Sequence, residues 1–236
     1  MAADSVASFD LLPPHDLKAT NPHEAYPLES LVPNYLYSFL ELDVITRVKD
    51  AAGDSTACDA LLADYPRFIV NRIYNLNRAT NVTEMAKLLI IMSYFFQFRS
   101  YKNNNFNDKS LAIALPTLPK QFARFFTDNY TEAVSVNGRT TRTKSQPMKM
   151  KLDVAIACLA LHVDDFKTSP HILGQDLSLG SDRILDLFKS LGCKIRSSKK
   201  RFTSEAPWED PEPESITLPT PISLPKVKNA SKTRRN

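Results

Sequence analysis

Two patterns in this sequence of 236 residues contain residue types that could catalyse a reaction or bind a ligand, and they imply different functions. The first is His162 followed by Asp164 and Asp165, which are the residue types of an acid–base or metal site. Adjacent carboxylates after a helical histidine point in different directions, so the end of a helix explains them more simply. The sequence contains no Gly-rich phosphate loop, nucleophile elbow, H-E-x-x-H or C-x-x-C pattern. We therefore expect no catalytic residue, no metal site and no cofactor.

The second pattern is a set of basic runs that contain no acidic residue. Three such runs hold half of the 30 basic residues. They are Arg139, Arg142, Lys144, Lys149 and Lys151; then Lys194, Arg196, Lys199, Lys200 and Arg201; then Lys226, Lys228, Lys232, Arg234 and Arg235. The chain up to Asp64 has 11 acidic and 3 basic residues, a net charge of −8, whereas the remainder has 15 and 27, a net charge of +12. Basic runs beside a folded domain indicate a polyanionic ligand.

The elements that must position these runs are mainly helices. Apolar residues at helical spacing predict helices from Asp54 onward and in "NVTEMAKLLIIMSYFFQFRS", with Asn81 or Thr83 as the N-cap. The aromatic stripe of that second segment is interpreted as core. Another short helix begins after Pro119, and the composition of "VSVNGRTTRTKSQ" predicts a loop.

The second half gives a clearer pattern. Pro147 opens a long helix, "PMKMKLDVAIACLALHVDDF", and Pro170 opens the next one. Ser181 is expected to cap a helix from Asp182 to Leu191, which Gly192 ends. "CKIRS" and "ITLPTPISL" are the predicted strands that follow.

Helix, helix, turn, helix, strand, basic loop and strand is the order of a winged helix. The first half offers a similar number of helices, so the sequence predicts a mainly α fold with small β-wings, arranged as a tandem winged-helix. The predicted division is 1–53, an extended leader with short helical turns; 54–137, the first winged helix; 138–225, a linker and the second winged helix; and 226–236, a basic disordered tail.

The helix predicted from Asp182 to Leu191 occupies the place of a DNA-reading helix, but its charge does not suit that role. The charges of its exposed positions sum to zero, and these positions are Asp182, Arg183, Asp186 and Lys189. Asp182 is explained by the helix dipole alone. Sequence-specific reading by this helix is therefore not expected.

The neighbouring cations fit contacts to the DNA backbone. Alternation along a strand makes Lys194 and Arg196 project together while Cys193 and Ile195 turn inward. Such side chains neutralise phosphates without sequence preference. The predicted DNA-binding residues are Arg139, Arg142, Lys144, Lys149, Lys151, Lys194, Arg196, Lys199, Lys200 and Arg201. A solvated surface or a nuclear-import signal is the alternative, and the tail is equally compatible with localisation, RNA contact and disorder.

The sequence also resembles a known family. "PMKMKLDVAIACLALHVDDF", "LGQDLSLGSDRILDLFKSLGCKI" and "ITLPTPISLP" resemble the C-terminal part of the forty-nine-kilodalton subunit of RNA polymerase I, the larger member of its TFIIF- and TFIIE-like heterodimer. The leader "LPPHDLKATNPHEAYPLESLVP" is similar to the linker that enters that part. The N-terminal dimerisation barrel of the family has no counterpart here, so we interpret the chain as a fragment or a truncated paralogue.

The resemblance implies a non-catalytic tandem winged-helix domain that binds double-stranded DNA and supports initiation and elongation on ribosomal RNA genes. It implies a location in the nucleus and nucleolus, with other polymerase subunits and initiation factors as partners. No small-molecule substrate is expected, and no membrane, because the longest apolar run, Met85 to Phe98, is too short to span a bilayer. The alternative is a winged-helix module that binds proteins and has little affinity for DNA.

Overall fold

The computed structural model describes residues 11–51, 54–102, 105–106, 108–136, 139–196 and 215–225. This part of the chain is mainly helical and contains two small antiparallel sheets, which confirms the predicted fold class at that level. None of the helices in these ranges has both the length and the apolar composition needed to cross a membrane.

Short helices form the N-terminal third of the described chain. They are α1 (Pro22–Ala25), α2 (Leu28–Leu31), a 3-10 helix (Asn34–Phe39), α3 (Asp43–Asp50), α4 (Ser55–Leu62), α5 (Arg67–Tyr74) and a second 3-10 helix (Leu76–Arg78).

The rest of the chain passes twice through the order helix, strand, helix, helix, strand, strand. The first repeat consists of α6 (Val82–Ser100), β1 (Asn105–Phe106), α7 (Asp108–Ala114), α8 (Lys120–Asn129), β2 (Glu132–Val136) and β3 (Arg139–Thr143). The second consists of α9 (Gln146–Val163), β4 (Lys167–Thr168), α10 (Pro170–Asp176), α11 (Ser181–Ser190), β5 (Lys194–Arg196) and β6 (Ser215–Thr217). The strand orders are β1-β3-β2 and β4-β6-β5, so the last strand of each repeat lies in the middle of its sheet.

The core is built around α6 and α9, which pack against each other. Both helices are apolar on nearly every side, as expected of helices buried among other elements. The aromatic stripe of α6 is core, as predicted: Phe98 stacks on Phe126 of α8 with ring centroids 4.8 Å apart, and Phe95 meets the same ring edge-on at 4.8 Å. Such contacts stabilise a core beyond the burial of area alone.

Local signals set most helix ends. The side chain of Asn81 accepts a hydrogen bond from the backbone N–H of Glu84 at 3.2 Å, so Asn81 is the N-cap of α6. The N-cap of α11 is Gly180 rather than the predicted Ser181, which is the first helical residue and forms no side-chain capping bond. Gly192 has φ +83°, and a Cβ there would lie 2.4 Å from Ile222 Cγ2, so glycine ends this segment as predicted.

The segment predicted as a loop, "VSVNGRTTRTKSQ", is largely a β-hairpin, and the loop prediction is wrong. Strands β2 and β3 pair antiparallel from Glu132 opposite Thr143 to Val136 opposite Arg139. Only Asn137 and Gly138 separate the strands, and Asn-Gly between two β-prone segments is a strong hairpin signal. The composition-based prediction overlooked that signal.

The segment predicted as an extended leader is packed into the fold, although α1 and α2 supply the expected helical turns. Tyr26 is fully buried. Its carbonyl accepts a hydrogen bond from Nε2 of His162 at 2.8 Å, and its hydroxyl donates to the carbonyl of Leu191 at 3.0 Å. Tyr26 therefore anchors this segment to the second repeat.

Candidate nucleic-acid interface

Strand β5 presents two of the predicted DNA-binding residues to solvent. Lys194 and Arg196 are exposed, whereas Ile195 between them is half-buried and Cys193 is buried. Ile195 pairs with the buried Ile216 of β6, so the inward face of this sheet belongs to the core. The predicted alternation is confirmed, and neither cation is paired with a carboxylate within the part of the chain that the structure describes.

The cations of the linker run are engaged differently. On β3, Arg142 places Nη2 3.5 Å from Oδ1 of Asp128, and on α8 Arg124 places Nε 3.7 Å from Oδ2 of the same carboxylate. Two guanidinium groups thus share one acid at the C-terminal end of α8. Exposed pairs of this length contribute little stability, so Arg142 remains accessible to an anion. The carboxylate of Asp128 beside it would repel that anion.

Lys151 also caps the C-terminal end of α8. Its ammonium donates to the carbonyl of Asn129 at 3.1 Å and lies 5.6 Å from the centre of the Tyr130 ring. The last carbonyls of a helix have no partner within the helix, and a cation there also interacts favourably with the helix dipole. Lys149, two residues earlier on α9, is half-buried. Arg142 and Lys151 of the linker run therefore have structural contacts as well.

Lys144 is the clear correction among the predicted DNA-binding residues. It is only 3% exposed, and its ammonium donates to the carbonyls of Phe98 at 3.0 Å and Arg99 at 3.5 Å and to that of Tyr101. Burial, followed by the charges of Lys149 and Arg99, lowers its pKa to about 8. Lys144 caps the C-terminus of α6 and is not available to a phosphate.

The remaining predicted cations are Arg139, Lys199, Lys200 and Arg201. Arg139 is the first residue of β3 and pairs with Val136 through the backbone. Lys199, Lys200 and Arg201 lie outside the described residues, as does the basic tail. The role of Arg139, Lys199, Lys200 and Arg201 in DNA binding stays a prediction.

Helix α11 has the charge pattern expected from the sequence. Asp182, Arg183, Asp186 and Lys189 are all exposed. Lys189 lies 2.8 Å from Asp186, so these two charges pair with each other across one turn. The face that a reading helix would offer to DNA therefore carries no net positive charge, which argues against this helix as the main contact.

The possible acid–base site is a structural junction. His162 is buried, and Asp164 forms a two-point pair with Arg72 of α5, at 2.8 Å and 2.5 Å, and accepts a hydrogen bond from Thr168 at 2.5 Å. Asp165 is exposed, and its Oδ1 lies 3.7 Å from Nε2 of His23. Among the described residues, no three His, Cys, Asp or Glu side chains are grouped as metal ligands.

Sequence reasoning missed the polar contacts that join α5 and α6 to the second repeat. Arg99 of α6 binds Asp153 of α9 at 2.5 Å and the carbonyl of Leu177 at 2.7 Å. Asp176 of α10 accepts from the backbone N–H of Phe68 at the start of α5, at 2.8 Å. The partners lie 54 to 108 residues apart in sequence, and no local pattern identifies them.

Known proteins match almost the whole of this chain. The family model described as "A49-like RNA polymerase I associated factor" matches residues 1–225. The DNA-directed RNA polymerase I subunit RPA49 of Xenopus laevis is 24% identical over 202 residues, which cover 84% of this chain and 46% of that protein. RPA49 of Homo sapiens is 24% identical over 216 residues, 89% of this chain and 49% of that protein. The chain thus spans about half the length of the curated relatives that it matches. Because the family model covers far more than half of the chain, the chain belongs to the A49-like RNA polymerase I associated factor family.

Proposed function

We propose that the chain acts as a non-catalytic, DNA-binding part of a subunit of RNA polymerase I, in the nucleus and nucleolus. It binds the phosphate backbone of duplex DNA without sequence preference, and thereby supports initiation and elongation of ribosomal RNA synthesis. The proposal draws on membership of the family and on the identity of the two relatives as RNA polymerase I subunits. Other subunits of the polymerase and its initiation factors are the proposed protein partners.

The architecture that we propose is a tandem winged helix, with the divisions at 54–137 and 138–225. The repeated order of helix, strand, helix, helix, strand, strand supports it, as does the shared strand order of the two sheets. In this assignment α8 and α11 are the third helices, and β2–β3 and β5–β6 are the wings. The repeated order itself begins at Val82, so α4 and α5 are additions at the front of the first unit.

The observation that carries the DNA-binding proposal is the exposure of Lys194 and Arg196 on one face of β5. Both lack an acidic partner among the described residues. A cation with no internal partner gives up no intramolecular contact when it meets a phosphate. Binding then releases counterions, which gives affinity without sequence preference.

The test is a fluorescence-anisotropy titration of the purified chain on a duplex of random sequence at several salt concentrations. The proposal requires measurable binding whose logarithm falls linearly with the logarithm of the salt concentration. Absence of binding at low salt would reject it.

The second candidate is a protein-binding module, and a specific observation favours it. Ile113 on α7 is 82% exposed and Tyr35 is 59% exposed, which are large values for an isoleucine and a tyrosine. A chain that does not bind DNA in the titration but is retained by purified RNA polymerase I would support this candidate.

A further inference from the structure

The β4-β6-β5 sheet carries an exposed row of side chains that runs across all three strands. Thr217 of β6 pairs with Lys167 on one side and with Lys194 on the other. Residues directly opposite each other in a sheet project from the same face. Lys167, Thr217 and Lys194 therefore stand side by side on one face.

Burial confirms which face this is. Lys167 and Lys194 are exposed, whereas Thr168 and Ile216 in the neighbouring row are buried. The row of Lys167 therefore faces solvent and the next row faces the core.

A third cation lies on the same outward face. Arg196 is two residues along β5 from Lys194, and it pairs with Ser215 of β6. Because side chains two residues apart in a strand share a face, Arg196 and Ser215 extend the row into a patch. This patch consists of Lys167, Lys194, Arg196, Ser215 and Thr217. It holds three positive charges and two hydroxyl groups, and the strands that form it contain no acid in their described part.

The spacing of the cations is fixed by the sheet. Neighbouring strands lie roughly 4.8 Å apart, so the backbones of Lys167 and Lys194 are about 10 Å apart, and those of Lys194 and Arg196 are about 7 Å apart. A paired backbone has already lost most of its conformational freedom, so binding an extended anion orders only the side chains. Hydroxyl groups add donors for phosphate oxygens.

The equivalent row of the first sheet provides an internal comparison. There Thr143 of the middle strand pairs with Asn105 and with Glu132. The same positions of the fold thus carry two lysines in the second repeat but an amide and a carboxylate in the first. In this row of the fold, the positive charge is found in the second sheet and not in the first.

We propose that the patch binds the phosphodiester backbone of a DNA duplex, and that Lys167 is a phosphate-contacting residue together with Lys194 and Arg196. This inference rests on the proposed function, and it extends the contact from β5 across the outward face of the sheet to β4. Lys167 lies outside the basic runs of the sequence, and the strand pairing alone brings it to them.

The experiment compares Lys167→Gln with Lys49→Gln, a matched loss of one exposed lysine on α3, in the complete chain. Anisotropy titrations use a random duplex and, separately, single-stranded RNA of the same sequence. For the duplex, Lys167→Gln is expected to flatten the slope of log affinity against log salt by about 0.9, the value of one phosphate contact on B-DNA. Lys49→Gln is expected to leave the slope near that of the wild type, and both variants should melt at the wild-type temperature.

Three results would overturn the proposal: an unchanged duplex slope for Lys167→Gln, an equal change for both variants, or a change for Lys167→Gln that is confined to RNA. A wild-type chain that does not bind the duplex would instead reject the proposed function. If Lys167→Gln melts at a lower temperature than the wild type, Lys167→Arg distinguishes loss of the charge from loss of folding. It keeps the charge and should therefore restore the wild-type slope.

Discussion

Arg99 and Asp153 form a two-point ion pair between the long helices of the two repeats, with Nε 2.5 Å from Oδ1 and Nη2 3.5 Å from Oδ2. Asp153 is 7% exposed, and its burial raises its pKa, while the charge of Arg99 opposes that rise. The same arginine reaches the carbonyl of Leu177 at 2.7 Å. One side chain thus connects α6, α9 and the end of α10.

Breaking this pair should destabilise the protein strongly. Arg99→Met leaves the buried carboxylate of Asp153 without its cation, which costs roughly 3–5 kcal/mol in comparable buried pairs. Urea denaturation followed by circular dichroism measures the change. The exposed pair of Lys189 and Asp186 is the control, because Lys189→Met should cost less than about 1 kcal/mol. Equal costs for the two variants would contradict a special role for Arg99.

Lys144 should make stability depend on pH in the alkaline range. Its folded pKa of about 8 lies below the ordinary value of 10.5, so the unfolded chain binds more protons between these values. The contribution of this lysine to the free energy of unfolding therefore rises as pH increases from 8 to 10.5. Comparing wild type with Lys144→Met isolates it from other titrating groups. The free energy of unfolding of the wild type should rise relative to that of Lys144→Met across this range. A difference between the two that is independent of pH would contradict the burial of a charged lysine.

His162 should make the stability of the protein depend on pH in the acidic range. Burial, with a further contribution from the charge of His23, lowers the pKa of His162 to about 4, although its hydrogen bond to Tyr26 acts in the opposite direction. Its contribution to stability is complete above pH 6.5 and is lost as pH falls towards 4. At a pH near 5 the loss is roughly 2 kcal/mol. Urea midpoints of the wild type and of His162→Gln at neutral pH and near pH 5 test this, since the variant should lose less on acidification.

DNA binding should discriminate weakly between sequences, because the exposed face of α11 has no net charge and its Lys189 is paired with Asp186. A selection from a random duplex library should return no dominant site. Enrichment of one site over random sequence by ~1,000-fold, a ratio typical of specific binders, would show that a helix reads bases after all.

Much of the second repeat could be predicted from local chemistry. Pro147 and Pro170 lie at helix starts, Gly192 takes the left-handed conformation that ends a segment, and Lys194 and Arg196 alternate with an inward isoleucine. Each of these features depends on residues close together in sequence.

The features that escaped prediction depend on distant partners. The burial of Lys144 is set by carbonyls 43 to 46 residues earlier, and its sequence context of threonines and basic residues gives no sign of it. Lys167 joins Lys194 only because both pair with Thr217. The hairpin before α9 is the exception, because the signal at Asn137 and Gly138 was present in the sequence.

The central claim is that DNA is held by the cations of the second sheet and wing rather than read by α11. Two variants that each remove two positive charges test it most directly: Lys194→Gln with Arg196→Gln, and Arg183→Gln with Lys189→Gln. All four residues are exposed, so neither variant should alter the fold, as melting temperatures will show.

Anisotropy titrations on random duplex over a range of salt concentrations give the slope for each variant. The account predicts that the strand variant flattens the log–log slope by up to roughly 1.8, which is two contacts at 0.9 each. It predicts that the helix variant changes the slope by less than about 0.9, the value of one contact. An unchanged slope and affinity for the strand variant, together with loss of binding by the helix variant, would contradict the account.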